Sequence, residues 1–274
     1  MPRTLLSIYP KTTDRFDEML AEGGAVRPSW QAFFDHLVAA TPEQMRHRLD
    51  YVRRRIQENG VTYNVYADPK GTDRPWELDP LPLILTPGEW QEISSAVRQR
   101  ARLLNAVLGD LYGEQTLLRD GTLPSALVYG HNNFLWPCQG VKPPGDIWLH
   151  LYAADLARSP DGRWWVIGDR TQSPSGAGYA LENRIIVSRV FPEQFRDLGV
   201  QHLASFFSAL RNSLAHWAPH NGKGGREGVR DAPLIVLLTP GPYNETYFEH
   251  AYLARYLGFP LVEGQDLTVR GDCV

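Results

Sequence analysis

Residues 147–184 constrain the fold of this chain more than any other stretch. Two apolar segments, IWLHLYAADLAR and RWWVIG, flank Ser159–Gly162, whose sequence SPDG is typical of a tight turn. This pattern predicts an antiparallel β-hairpin. A glycine-rich loop, Ser173–Gly178, follows the hairpin, and a helix is predicted to begin near Tyr179. The stretch therefore combines a hairpin with a loop that presents backbone N–H groups at the start of a helix.

The C-terminal part of the chain has the pattern of a parallel sheet. Leu234–Leu238 is a continuous apolar run bounded by turn residues, as in a strand that is buried on both faces. Tyr243–Leu257 is predicted to be a helix that ends at Gly258, and Phe259–Glu263 to be the next strand. One strand–helix–strand unit cannot form a sheet whose two faces are both covered. We therefore expect the start of a doubly wound domain, truncated within a longer polypeptide.

Much of the remaining chain is predicted to be helical. Ser29 is a candidate N-cap, and the dipeptide Thr41-Pro42 marks the start of a second helix. Four segments are predicted to be helical, which are 14–22, 30–58, 89–112 and 201–217, and apolar residues recur at helical spacing within the second and the third. The fold class is therefore α/β. The predicted division is a helical region at 1–59, the hairpin portion at 60–218, a linker at 219–232 and the doubly wound portion at 233–274.

Composition excludes several classes of function. The formal net charge of −3 and the pI near 6.2 show no excess of basic residues for nucleic acid or an anionic membrane. No apolar stretch approaches the ~20 residues needed to span a bilayer, and the N-terminus lacks the apolar core of a signal peptide. These features predict a soluble, cytoplasmic protein without nucleic-acid or membrane partners. Cys138 and Cys273 have no metal-binding or disulfide spacing and are interpreted as incidental thiols.

The hairpin and its loop contain a candidate metal and phosphate site. Asp155 on the first arm and Asp169 at the end of the second arm can face the same opening of the hairpin. Carboxylate oxygens in such a position hold Mg²⁺ against nucleotide phosphates. The loop Pro174–Gly178 presents backbone N–H groups and the Ser175 hydroxyl at a helix N-terminus, which favours an anion. The alternative interpretation is a tight turn with a serine N-cap and two aspartates that face solvent.

A second candidate site follows the strand at Leu234–Leu238. In open α/β sheets, ligands bind at the carboxyl ends of the strands. The polar candidates at this end are Tyr243, Asn244, Glu249 and Glu263. The alternative interpretation is a capped helix, with Asn244 as the N-cap and acidic residues near the first turns.

Several motifs together resemble one protein family. Pro174-Ser175-Gly176 (PSG) and Leu181–Arg184 (LENR) match motifs of circularly permuted ATP-grasp proteins, and the match continues through Leu238–Arg255 (LTPGPYNETYFEHAYLAR) and Leu261–Leu267 (LVEGQDL). The sequence is similar to the synthetase half of glutathionylspermidine synthase, over most of residues 60–274 and for its N-terminal part only. The resemblance implies a permuted ATP-grasp fold in which the hairpin carries the metal and phosphate chemistry.

The resemblance also implies cofactors and roles. Such proteins bind ATP and Mg²⁺, form an acyl phosphate, and pass the acyl group to an amine. By this resemblance Asp155 and Asp169 hold metal, Arg170 and Ser175 act in catalysis, and Ser175 and Gly176 contact the nucleotide. From the second candidate site, Asn244 and Glu263 are added as proposed nucleotide contacts. The family's metal-binding glutamate is replaced by Gly168, and its asparagine by Arg170.

Two functions from different classes remain open. One is a part of an ATP-dependent carboxylate–amine ligase that is inactive alone, because the rest of the same polypeptide is needed to complete the site; its partners are small-molecule or peptide carboxylates and amines. The other is a non-catalytic ATP-grasp-like module for binding or assembly, which the replacements at Gly168 and Arg170 favour. A hydrolase that uses Ser175 is a third, weaker alternative, since no G-x-S-x-G motif is present.

Overall fold

Local sequence signals determine where the two longest described helices begin. The computed structural model describes residues 9, 14–37, 40–64, 76–218, 233–271 and 274. The Oγ1 atom of Thr41 accepts from the backbone N of Gln44 at 3.2 Å, and the Gln44 side chain accepts from the backbone N of Thr41 at 2.9 Å. Thr86 and Glu89 form the same reciprocal pair. Proline follows each cap at the first helical position, where its missing N–H costs nothing.

The described elements are a mixture of helices and strands, and the predicted α/β fold class is confirmed. The helices are α1 (Pro28–Asp35), α2 (Pro42–Glu58), α3 (Pro87–Leu111), α4 (Thr116–Arg119), α5 (Ser125–Tyr129), α6 (Ala177–Val190), α7 (Pro192–Asp197), α8 (Ala204–Trp217) and α9 (Tyr247–Leu257). The strands are β1 (Ala153–Arg158), β2 (Trp164–Arg170), β3 (Leu237–Thr239) and β4 (Leu261–Glu263).

The chain divides into two compact units. The first comprises residues 1–10, 19–83 and 175–274, and the second comprises residues 11–18 and 84–174. Helices α1, α2 and α6 to α9 and strands β3 and β4 lie in the first unit; α3 to α5 and the hairpin of β1 and β2 lie in the second. The predicted four-part division stays a prediction, and its linker at 219–232 lies outside the described residues.

The first unit is built around helix α6, which packs against α2 and α9. Leu181 of α6 is buried with Phe207, Tyr252 and Leu257, each at most 8% exposed. Strands β3 and β4 pair in parallel, with Thr239 opposite Glu263, and α9 connects them. This βαβ unit confirms the predicted strand–helix–strand order. The first strand is shorter than the predicted Leu234–Leu238 and is not buried on both faces, since Leu234 is 85% and Leu238 58% exposed.

The second unit contains the predicted hairpin, whose strands β1 and β2 pair antiparallel. Arg158 at the end of β1 is 14% exposed and donates to Glu18 and to Glu89, both at 2.8 Å. Its guanidinium also lies 3.9 Å from the centroid of the Phe16 ring and 4.9 Å from that of Trp164. One cation between two carboxylates and two rings therefore attaches the hairpin to α3 and to residues 16–18.

Three predicted helix boundaries differ in the structure. Residues 14–22 are not helical, because Leu20 forms an isolated antiparallel bridge with Val26 around a turn at the left-handed Gly23 and Gly24. Ser29 is not the N-cap of α1, since the helix begins at Pro28 and residue 27 occupies the cap position, where its side chain makes no capping hydrogen bond. Helix α9 begins at Tyr247 rather than at Tyr243.

We expect Arg158→Met to destabilise the protein by about 1–3 kcal/mol, because it leaves Glu18 and Glu89 partly buried without their shared cation. Chemical denaturation followed by circular dichroism measures this loss. The matched control is Arg163→Met, which removes an arginine that is 76% exposed and pairs with Asp161 in the hairpin turn. Equal denaturation midpoints for Arg158→Met and Arg163→Met would contradict the structural role of Arg158.

Candidate functional site

One face of the hairpin carries a carboxylate–guanidinium pair. Asp155 lies opposite Gly168, and Arg170 lies opposite Ala153, so the side chains at 155 and 170 project from the same face. Arg170 Nη2 lies 2.9 Å from Asp155 Oδ2, and its Nε donates to the two oxygens at 3.2 and 3.1 Å. A Cβ built at Gly168 would lie 3.1 Å from Asp155 Oδ2, which confirms that this position shares the face.

The opposite face carries a second ion pair. Asp169 lies opposite Ala154 and accepts from Arg100 Nε at 2.6 Å and Nη2 at 2.7 Å. The Tyr152 hydroxyl donates to the same carboxylate at 2.6 Å. The Arg100 guanidinium and then the Tyr152 hydroxyl lower the pKa of Asp169 to about 2. Burial, followed by the Asp169 carboxylate, raises the pKa of Tyr152 to about 12.

The structure therefore does not bring the two predicted metal ligands together. Asp155 and Asp169 lie on opposite faces of β1 and β2, and each carboxylate is paired with an arginine. The part of the chain that the structure describes contains no group of three His, Cys, Asp or Glu side chains that could hold a metal ion. Their role as metal ligands stays a prediction. Sequence reasoning missed Arg100 and Tyr152, because nothing local indicates a partner for Asp169.

The glycine loop binds an anion that the protein itself supplies. Gly176 N donates to Glu249 Oε1 at 2.7 Å and to Oε2 at 2.8 Å, and Gly178 N donates to Oε1 at 2.7 Å. Glu249 is 2% exposed. A Cβ at Gly178 would lie 2.8 Å from Glu249 Cγ, so only glycine permits this approach. The predicted anion preference of the loop is thus met by a carboxylate, while the Ser175 side chain is exposed.

The LENR motif has structural contacts in the first unit. Glu182 is 3% exposed and accepts from the Asn59 side chain at the end of α2. Asn183 Oδ1 accepts from Trp76 Nε1 at 3.0 Å, and Arg184 Nη1 donates to the backbone oxygen of Gln201 at 3.0 Å. These three side chains connect α6 to residues on both sides of it in the sequence.

A polar network lies at the carboxyl end of β3. His250 Nδ1 lies 2.9 Å from Thr239 Oγ1, and His250 Nε2 lies 3.2 Å from Thr246 Oγ1. The Thr246 hydroxyl donates to Asn244 Oδ1 at 2.8 Å, so it accepts from Nε2, which assigns the ring proton to that nitrogen. Burial lowers the pKa of His250 below 6.5 and favours the neutral ring.

The second candidate site is partly assembled at this end of the sheet. Glu263 at the end of β4 lies beside Gly241, where a Cβ would come within 3.3 Å of its carboxylate. A cavity of about 440 Å³ in the same unit is lined by Asn244, Glu245 and Arg255 among others, but not by Glu263. Asn244 is not the N-cap of α9; it caps the turn before the helix by accepting from the Thr246 backbone N at 3.0 Å.

Comparison with known proteins identifies relatives over nearly the whole chain. The family described as circularly permuted ATP-grasp type 2 matches residues 82–274. An uncharacterized protein of Synechocystis sp. is 36% identical over 93% of this chain and 51% of its own length. Two uncharacterized proteins of Mycobacterium tuberculosis are 37% and 35% identical over 93% and 94% of this chain, and over 29% and 45% of their own lengths.

The chain therefore spans about half of the length of these relatives, or less. The similarity to the synthetase half of glutathionylspermidine synthase stays a prediction. In the described part of the chain, no helix is both long and apolar enough to cross a membrane.

We expect Glu249→Ala to lower the free energy of unfolding by roughly 2–4 kcal/mol, because it leaves the buried N–H of Gly178 and the partly buried N–H of Gly176 without their acceptor. Urea denaturation measures this loss. Glu249→Gln keeps an acceptor oxygen and should lose less. Glu245→Ala removes an exposed carboxylate of the same segment and serves as the control. If Glu249→Ala had the same urea denaturation midpoint as the wild-type protein, the loop would not depend on the Glu249 carboxylate for stability.

We expect the stability of the protein to fall as the pH decreases below about 6.5, through His250. The pKa of the partly buried His250 ring is lowered from 6.5 in the folded protein. Below pH 6.5 the unfolded chain therefore binds more protons at His250 than the folded protein does. The contribution of His250 is fully present above pH 6.5, and it is lost as the pH falls toward the lowered pKa. Unfolding free energies measured from pH 5 to 8 for wild type and His250→Gln test this, because the variant should have the shallower slope.

Proposed function

Because the chain belongs to the circularly permuted ATP-grasp type 2 family, whose members are in general ATP-dependent and ligase-like, we propose that it forms part of an ATP-dependent carboxylate–amine ligase. In the proposed reaction a carboxylate oxygen of the substrate attacks the γ-phosphorus of ATP, which releases ADP and leaves an acyl phosphate. An amine then attacks the acyl carbon, loses a proton, and displaces inorganic phosphate. The acyl phosphate pathway is part of the proposal.

The observation that carries the proposal is the guanidinium of Arg170 on the matched hairpin. Its side chain is 57% exposed, and Asp155 orients it through the Nε and Nη2 contacts. Phosphoryl transfer is catalysed mainly by positioned positive charge, and an arginine binds phosphate oxygens in a fixed planar geometry. We propose that Arg170 neutralises charge on the transferred phosphoryl group.

The first unit offers separate contacts for the ligands. The exposed Ser175 hydroxyl is the proposed phosphate contact of the loop, whereas the N–H of Gly176 is already bound to Glu249. Asn244 lines the cavity of about 440 Å³, and Arg255 and Glu245 give this cavity charges of both signs. A small-molecule or peptide substrate with carboxylate and amine groups matches such a lining. Glu263, outside the cavity lining, stays a proposed nucleotide contact.

The activity is proposed for the complete protein. Since the chain corresponds to about half or less of its relatives, we propose that these 274 residues alone do not turn over ATP and need the remainder of the polypeptide. The cytoplasmic location also stays part of the proposal.

One observation favours the second candidate, a non-catalytic module for binding or assembly. Arginines already neutralise the two carboxylates of the hairpin strands, Asp155 and Asp169, and Glu249 occupies the loop N–H groups. Carboxylates and N–H groups that are already paired within the protein are not available to bind a metal ion or the phosphates of a nucleotide. This candidate predicts no measurable affinity for ATP.

Calorimetric titration of Mg-ATP into the complete protein separates the two candidates. For the ligase we expect saturable binding that Arg170→Ala weakens by about tenfold, because one charge-assisted phosphate contact is lost. Arg163→Ala in the same hairpin is the matched control, since Arg163 pairs with Asp161 in the exposed turn. Absence of binding by the wild-type protein would contradict the ligase and support the module.

A further inference from the structure

The donor set of the hairpin does not fit a magnesium ion. Proteins of this family generally use ATP and Mg²⁺. Magnesium takes six oxygen ligands in near-ideal octahedral geometry, and proteins usually supply one or two carboxylates that are open toward the ion. The face that holds Asp155 has no second carboxylate, because residue 168 is glycine and Asp169 projects from the other face. The carboxylate of Asp169 already accepts hydrogen bonds from Arg100 and Tyr152.

The Arg170 guanidinium already contacts both carboxylate oxygens through which Asp155 would bind a metal cation. Its Nε lies 3.2 and 3.1 Å from the two carboxylate oxygens, and its Nη2 lies 2.9 Å from one of them. A divalent ion bound by the same oxygens would lie next to a guanidinium that remains protonated at any physiological pH. The two cations would repel each other across a few ångströms, with the single Asp155 carboxylate as their only shared anion.

We infer that the guanidinium of Arg170 takes the place of a metal cation on this face, and that the hairpin binds no Mg²⁺. Asp155 then acts as a positioning residue, since it holds Arg170 in one orientation. Magnesium that accompanies ATP would be coordinated by the phosphates and by groups outside the hairpin. The inference concerns the hairpin face alone, so it holds whether or not the protein carries out the proposed ligase reaction.

Binding of Mn²⁺ without nucleotide tests the inference, because this paramagnetic ion reports protein-bound sites by electron paramagnetic resonance. Wild type and Asp155→Asn should both show no hairpin site tighter than roughly 1 mM, the weak end of oxygen-ligand sites in proteins. Arg170→Glu places a second carboxylate beside Asp155, and we expect it to bind Mn²⁺ at least about tenfold more tightly than wild type. Arg98→Glu makes the same change of charge on an exposed position of α3 and should gain nothing.

Two results would overturn the inference. The first is a wild-type Mn²⁺ site tighter than that limit which Asp155→Asn abolishes. The second is an Arg170→Glu variant that keeps the wild-type circular dichroism spectrum and melting temperature but binds Mn²⁺ no better than Arg98→Glu. Neither result depends on ATP, so failure of this inference is distinguishable from failure of the ligase proposal, which the Mg-ATP titration measures.

Discussion

Two backbone N–H groups in the first turn of α6, those of Gly176 and Gly178, donate to the carboxylate of Glu249, 73 and 71 residues further along the chain. This contact joins the glycine loop to α9 and sets the approach of the two helices, since the missing side chain of Gly178 makes room for Glu249. It also places α6 so that Glu182 can bind Asn59 at the end of α2. The core of the first unit therefore depends on buried carboxylates as well as on apolar packing.

The same contact explains why a motif that predicts phosphate binding has a structural occupant. The first N–H groups of a helix need an acceptor, and the helix dipole favours a negative one. Such a site attracts a phosphate and a carboxylate for the same reason, so the loop sequence alone cannot distinguish them. Because Glu249 is fully buried, it satisfies these donors without a ligand. The glycine-loop motif thus predicts where helix α6 begins, but it does not predict which anion binds to the N–H groups there.

The sequence predicted the features whose causes are local. The Thr41-Pro42 cap, the turn at Ser159–Gly162 and the strand–helix–strand order near the C-terminus all arise from neighbouring residues. The ion pair of Asp169 with Arg100, 69 residues away, could not be predicted, because it depends on tertiary packing. Likewise, the opposite faces of the hairpin aspartates follow from strand register, which the turn and the irregularity after Asp155 determine.

In the hairpin, strand register places three residues on one face, and their types set the charge of that face. Residues 155, 168 and 170 share one face, so the residue types at these three positions determine the charge of that face. A glycine and an arginine give it one carboxylate and one fixed cation. A metal ion exchanges, takes several ligands and can bridge two phosphates, whereas a guanidinium is permanent and planar and presents five N–H donors in a fixed arrangement. An anion that binds here would therefore meet a preorganised charge whose orientation Asp155 sets.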